Sequence, residues 1–173
     1  MSSALQSNFA NTVFVAADHA GFVMKENIKT KLIEHGLHVV DLGAHTLDPL
    51  DDYTDAVRPV GDQLIADPAA RAVVFCGSGQ GEGIVLNRRR GVRAAVFYGP
   101  RAAIQPIELE HTSPSVDGYD PVRLARMHND ANALCIGARF TTEEEAYHAA
   151  LLFVGTPFSG TERHVRRIHN IDE

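Results

Sequence analysis

The sequence predicts an α/β fold: a five-stranded parallel sheet with helices on both faces. Three observations lead there. Short β-branched apolar runs recur along the chain, segments of helix length separate them, and neither an internal repeat nor a low-complexity tract points to another architecture. Strands alternating with helices build βαβ units, whose right-handed crossovers place helices on both sides of a parallel sheet. The 173 residues suit a single domain spanning 1–173, and a 45% hydrophobic content is ample for one core.

Residues 12–17 form the first strand as an unbroken apolar run after Thr12. Met24, Ile28 and Leu32 then repeat at four-residue spacing, which predicts a helix stopped by Gly36. Residues 37–40 are the second strand. A helical pattern covers 52–65, with Pro59 as a counter-signal, and 71–75 make the third strand. A glycine-rich turn leads into a helix through Asn87, Gly91 is placed as its C-cap glycine, and 92–97 are the fourth strand. Residues 98–126 carry Pro100, Pro106, Pro114, Gly118 and Pro121 and read as a long loop with one or two short helices. The fifth strand is 133–137. Thr142-Glu143-Glu144-Glu145 is a capping box for a helix running to about Phe153, and a helical, basic tail follows from about residue 155.

Composition excludes several classes of function. A net charge of −6 and the absence of tryptophan argue against a nucleic-acid partner. No run approaches the roughly 18 apolar residues that cross a bilayer, and Met1-Ser2-Ser3-Ala4 lacks a basic region ahead of an apolar core. The chain therefore reads as cytoplasmic, with no membrane partner. Cys76 and Cys135 lie in apolar strands and read as reduced thiols. His35, His38, His45 and His148 show no ligand spacing, and no HxH or CxxC element is present, so no metal site is expected.

The chemistry concentrates in Val73-Val74-Phe75-Cys76-Gly77-Ser78-Gly79-Gln80-Gly81-Glu82-Gly83, which reads as a strand, a phosphate-sized turn and a helix N-terminus. The turn's amides and the Ser78 hydroxyl can cradle an anion or a developing oxyanion, and a bare strand-to-helix turn is the competing reading. A helix N-terminus lowers the pKa of a thiol at the position of Cys76, favouring the thiolate that a general base requires; a buried structural cysteine is the alternative. Glu82 is either a dipole partner held in its charged form or a second candidate base. Ligands of open parallel sheets sit beyond the carboxyl ends of the strands. That rule brings together Asp18-His19 after the first strand, the glycine turn after the third and Arg139 after the fifth. Asp18 and His19 supply an acid, a base and a hydrogen-bond donor, against a helix-capping pair.

Two polar groups lie elsewhere in the chain. His128, in the polar run 126–132, offers a proton shuttle to a sugar ring oxygen, against a solvated loop histidine. Arg163, His164, Arg166, Arg167 and His169 fall within seven residues, and on a helix Arg163 and Arg167 share a face at i,i+4. A phosphate between them would relieve the repulsion; the alternative is a cationic helix complementing its own dipole. Arg88-Arg89-Arg90 reads as a solvated cluster at a helix C-terminus with no catalytic role.

Several motifs occur in a fixed order along nearly the whole chain: Ala17-Asp18-His19-Ala20-Gly21, Asp52-Tyr53, Cys76-Gly77-Ser78-Gly79-Gln80-Gly81, His128-Asn129-Asp130-Ala131-Asn132, Gly137-Ala138-Arg139, and the segment from Thr156-Pro157 to Arg167-Ile168. In these the chain resembles the sugar-phosphate isomerase family that contains ribose-5-phosphate isomerase type B and the galactose-6-phosphate isomerase subunits. The resemblance implies a Rossmann-like three-layer α/β/α fold and a metal-free, cofactor-free aldose–ketose isomerase. The implied reaction interconverts ribose 5-phosphate and ribulose 5-phosphate through an enediolate, in a homodimer or homotetramer whose sites combine residues of two subunits.

Carried over by position, the resemblance makes Asp18, His19 and Tyr53 substrate contacts and gives His128 a part in ring opening, with Asn129 holding the open chain. The amides around Gly77, Gly79 and Gly81, with Ser78, would stabilise the enediolate, and Arg139, Arg163 and Arg167 would bind the phosphate. The family's base is a cysteine at the position of Cys76 or a glutamate at that of Glu82; this chain has both, with Cys76 the first choice and Glu82 the second. The proline-rich segment before His128 is longer than the family pattern. Other readings are an isomerase of galactose 6-phosphate or allose 6-phosphate, a non-catalytic phosphosugar sensor, and a thiol redox protein, the last lacking a resolving cysteine near Cys76 in sequence.

Overall fold

The computed structural model describes residues 10, 12–105, 107 and 117–173. Its strands β1 (Val13–Ala17), β2 (Val39–Asp41), β3 (Arg71–Cys76), β4 (Ala94–Phe97) and β5 (Ala133–Gly137) form one sheet in the order β2-β1-β3-β5-β4. Every neighbouring pair is parallel. The helices are α1 (Phe22–Glu34), α2 (Tyr53–Ala66), α3 (Gln80–Asn87), α4 (Asp120–Asn129), α5 (Glu143–Gly155) and α6 (Glu162–Ile171). This is the expected α/β architecture.

The three central strands are apolar throughout because both faces of the sheet are covered. Val13, Val15, Val73, Phe75, Leu134 and Ile136 point to one side and pack against Ile28 and Leu32 of α1, Val122 of α4 and Phe153 of α5. Phe14, Ala16, Val74, Cys76 and Cys135 point to the other and meet Val57, Val60 and Leu64 of α2 and Leu86 of α3. Each fully buried Leu, Ile, Val or Phe contributes about 1.5–3 kcal/mol, so these two clusters hold the layers together. Register then aligns the strand ends. Ala17 lies opposite Phe75, and Cys76 opposite Gly137, so β1, β3 and β5 release their following loops at one level.

Local signals account for most of the boundaries. The α1 spacing buries Ile28 and Leu32 while Met24 is partly buried, and Gly36 follows the helix at φ 94°. The Thr142 hydroxyl accepts the Glu145 N–H while the Glu145 carboxylate accepts the Thr142 N–H, the reciprocal box that opens α5. Pro59 lies inside α2 on its exposed side, where water can serve the carbonyl that proline leaves without an N–H.

Several expectations need correction. The first part of 98–126 is irregular as far as it is described, but its end is helical: α4 opens with Pro121 in its first turn, where a missing N–H costs nothing. His128 and Asn129 therefore stand in the last helical turn rather than in a loop. Pro106 and Pro114 lie outside the described residues. α3 is capped by Arg88, and Gly91 takes its φ of 83° three residues later, in the turn before β4. β4 itself starts at Ala94, two residues after the expected start, and β2 spans Val39–Asp41 rather than 37–40.

Lys25 was not singled out by its sequence. Its side chain is fully buried, its ammonium donates to both Asp41 oxygens at 2.9 Å, and it also donates to the Ala44 carbonyl. Lys29 adds a 2.6 Å bond to Asp41. A buried cation with this many acceptors ties the chain leaving β2 to α1.

Candidate active site

The glycine turn is built where a strand must become a helix within three residues. Cys76 ends β3, and Gly79 caps α3 at φ 77°, in the left-handed region that side chains other than glycine's disfavour. A Cβ at Gly79 would also come within 3.1 Å of Val96 and 3.2 Å of the Cys135 carbonyl. Ser78 and Gly79 thus present backbone amides at the carboxyl edge of the sheet, with the start of α3 behind them, while the Gly77 N–H is taken up by Asp18.

Asp18 locks this edge together. One carboxylate oxygen accepts the Gly21 N–H at 2.8 Å and the other accepts the Gly77 N–H at 3.2 Å, tying the loop after β1 to the turn after β3. Arg139 comes from the loop after β5, whose Ala138 N–H donates to the Cys76 carbonyl at 2.7 Å. Its guanidinium carbon lies 3.4 Å from where a Cβ of Gly77 would stand. The Tyr53 ring covers Gly81, where a Cβ would come within 2.8 Å of it. Asp18, His19, Tyr53, the turn residues Gly77, Ser78, Gly79 and Gly81, and Arg139 thus converge.

Three side chains at this edge, Glu82, Cys76 and His19, carry shifted acidities. The Glu82 side chain, 4% exposed in the first turn of α3, has its pKa raised by burial and by the neighbouring Asp18 carboxylate, although its own backbone N–H and the Cys76 thiol favour the charged form. The helix N-terminus does not dominate here, contrary to the expectation of a carboxylate held in its charged form. Cys76 is also corrected. Its Sγ is fully buried beside Cys135 and 3.5 Å from the Val74 carbonyl, and burial pushes the thiol pKa well up, with Cys135, Glu82 and Asp18 adding to the effect. The expected thiolate is disfavoured because desolvation outweighs the dipole. Both cysteines are free, and Cys135, distant in sequence, is the neighbour of Cys76 in space. Alkylation of the folded protein by iodoacetamide at pH 8 is expected to run about 100-fold or more slower than that of an exposed thiol. Rapid stoichiometric labelling of Cys76 would contradict this burial.

His19 is held from outside the predicted set. Its Nδ1 donates to Asp51 at 2.6 Å, and this bond, with the nearby Asp18 and Asp51 charges, raises the imidazole pKa against desolvation and Arg139. Asp51 comes from the chain between β2 and α2. Only its place beside Asp52-Tyr53 signalled it in the sequence, and Asp52 itself is exposed at the N-cap of α2.

The remaining predicted residues form a second cluster that the chain does not bring to the first. The His128 and His164 rings lie 4.2 Å apart, the buried His164 Nδ1 pairs with Ser159 Oγ at 2.9 Å, and Arg163 Nε donates to His164 Nε2 at 3.1 Å. Asn129, Arg163 and Arg167 are exposed. His128 and Asn129 precede β5, whereas Arg139 follows it, so they stand toward opposite ends of that five-residue strand. The C-terminal end of α6 stays at the amino edge too, where Asp172 accepts the Gly91 N–H at 3.0 Å just before β4. Of the residues in this cluster, His164 is the one whose burial its sequence did not signal. Among the described residues, no group of three His, Cys, Asp or Glu side chains could hold a metal ion.

An amide-lined turn flanked by cations, with a buried carboxyl of raised pKa at the helix start, is an arrangement suited to α/β enzymes that move protons on small anionic substrates. The family model described as Ribose/Galactose Isomerase matches residues 13–112 and 116–171, and the chain belongs to that family. The ribose-5-phosphate isomerase B of Mycolicibacterium paratuberculosis is 34% identical over 161 residues, 93% of this chain and 89% of that protein. The crystal structure of a ribose 5-phosphate isomerase from Thermotoga maritima superposes with a TM-score of 0.77 at 35% identity, covering 93% of this chain and 97% of that one. That of ribose-5-phosphate isomerase B from Mycoplasma genitalium with bound ribulose-5-phosphate gives 0.78 at 31% identity, with 93% of each chain covered.

Proposed function

We propose that the chain is a single-domain aldose–ketose isomerase that interconverts ribose 5-phosphate and ribulose 5-phosphate. The observation that carries this reading is Glu82, a buried carboxyl with a raised pKa set against an amide-lined turn, in a chain whose relatives carry that activity in their names. A base of raised pKa is suited to taking a proton from C2 of the open-chain sugar. Charge then spreads to the C1 oxygen, where the amides of Gly79 and Gly81 and the Ser78 hydroxyl stabilise the enediolate, the Gly77 N–H being held by Asp18; groups of this kind contribute about 3 kcal/mol each. The proton returns at C1. Glu82 is the base in this account, and the neighbouring Cys76 thiol favours its charged form. His19 and Arg139 bind the phosphate, and Asp18 and Tyr53 shape the wall of the pocket.

The separation of the two clusters supports a site completed by a second copy of the chain. His128 and Asn129, placed for ring opening and for holding the open chain, and Arg163 and Arg167, placed for the phosphate, would reach the carboxyl edge of a partner in a homodimer or a larger assembly. Mixing tests this directly. Glu82→Gln and His128→Ala proteins, each impaired alone, are expected to regain up to about a quarter of wild-type activity when unfolded and refolded together, because a mixed dimer holds one intact site. No recovery in demonstrably mixed dimers would place both residues in the same chain's site. No helix among the described residues is long and apolar enough to cross a membrane, in keeping with a cytoplasmic enzyme acting on a small sugar phosphate.

A further inference from the structure

We propose that Asp51 is a positioning residue for phosphate binding: it holds His19 by Nδ1, so that the opposite Nε2–H edge of the ring is presented to the substrate phosphate. The inference rests on the isomerase reading for the identity of the anion and on the geometry of this chain for the role of Asp51.

Three observations carry it. First, the 2.6 Å contact joins Asp51 Oδ1 to His19 Nδ1, and since a carboxylate can only accept, the proton on Nδ1 is committed to Asp51. A neutral ring would then offer a lone pair at Nε2, which repels a phosphate; a ring that binds phosphate through Nε2–H carries both protons and a positive charge. Second, the groups facing His19 are Asp18 from the end of β1, Asp51 from the segment before α2 and Arg139 from the loop after β5. Asp18 already accepts from Gly21 and Gly77, so Asp51 is the carboxylate hydrogen-bonded to the imidazole. Its charge favours the doubly protonated ring beside Arg139, and the two cations flank the anion-binding turn. Third, Asp51 Oδ2 is buried with no hydrogen-bond partner among the described residues. Oδ1 alone therefore carries the side-chain contact that orients the ring.

The segment that carries Asp51 is itself anchored. The buried Lys25 holds Asp41 and the Ala44 carbonyl where this segment leaves β2, and the Asp51 N–H donates to the Asp48 carbonyl at 3.2 Å just before α2.

The test is calorimetric binding of inorganic phosphate together with steady-state kinetics on ribose 5-phosphate, using wild type, Asp51→Ala, Asp51→Asn, His19→Asn and the Asp51→Ala/His19→Asn double variant. Asp51→Ala is expected to weaken phosphate binding and raise KM by about tenfold, the loss of one charge-assisted hydrogen bond, while kcat stays within about threefold. Asparagine can still accept from Nδ1–H without the charge, so Asp51→Asn falls between the two. Should Asp51→Ala fail to fold, Asp51→Asn against wild type carries the same comparison. In the His19→Asn background the alanine substitution is expected to add less than about twofold, as it must if Asp51 acts through His19. Unchanged phosphate affinity and KM in the single variants would overturn the proposal, as would an equal loss in both His19 backgrounds. Because the probe is inorganic phosphate, an absence of ribose 5-phosphate turnover would reject the isomerase reading and leave the Asp51 result standing.

Discussion

Glu82→Gln is expected to lower kcat for ribose 5-phosphate by about 10²- to 10⁴-fold, the contribution of a positioned general base, with KM changed little. The amide keeps the shape of the side chain but cannot take a proton. Cys76→Ala is expected to cost much less, because a thiol whose pKa is pushed up by full burial holds little thiolate near neutrality. The pH profile separates the two further. A base works deprotonated, so kcat/KM falls as pH drops through the pKa of Glu82, and burial and Asp18 place that acid limb above the ordinary glutamate range. A thiol base would put the limb in the alkaline region instead. Initial rates of ketose formation across pH for the three proteins check both points. A collapse of kcat in Cys76→Ala with Glu82→Gln near wild type would reverse the assignment.

Gly21→Ala is expected to destabilise the protein by about 3 kcal/mol or more, lowering Tm by roughly 10 °C in a thermal melt. A Cβ at Gly21 would stand 2.0 Å from the Phe75 carbonyl oxygen and 2.6 Å from the Cys76 amide nitrogen, both main-chain atoms of the central strand. No rotamer relieves such an overlap, so the loop after β1 would have to lift away from β3. The same movement would break the bonds from Gly21 and Gly77 to Asp18 and open the site edge. A folded variant of unchanged Tm would show that this close approach is not a constraint on the fold.

Much of this was legible in the sequence, for physical reasons that also mark where legibility stopped. The apolar runs at 12–17, 71–75 and 133–137 announced buried parallel strands, and the rule that ligands lie beyond their carboxyl ends brought Asp18, the glycine turn and Arg139 together as found. The opposite placement of His128 follows from chain direction alone, since it precedes the strand that Arg139 follows. α4 was obscured because Pro121 reads as a breaker anywhere but in a first turn. For Cys76 the sequence offered both a helix dipole and a buried structural cysteine, and could not rank them because a strand covered on both faces carries no alternation to show which way the thiol points; burial is the effect that wins. Asp51 stood between Asp48 and Asp52, marked only by its place beside Asp52-Tyr53. Its contact with His19 spans 32 residues and exists only in the folded chain.

The most direct test of the account is the rate of ketose formation by the unmodified protein from ribose 5-phosphate, galactose 6-phosphate and allose 6-phosphate under one set of conditions. The account predicts ribulose 5-phosphate as product, with the highest kcat/KM on the five-carbon substrate. No ribulose 5-phosphate, or a higher kcat/KM on either six-carbon sugar, would contradict it.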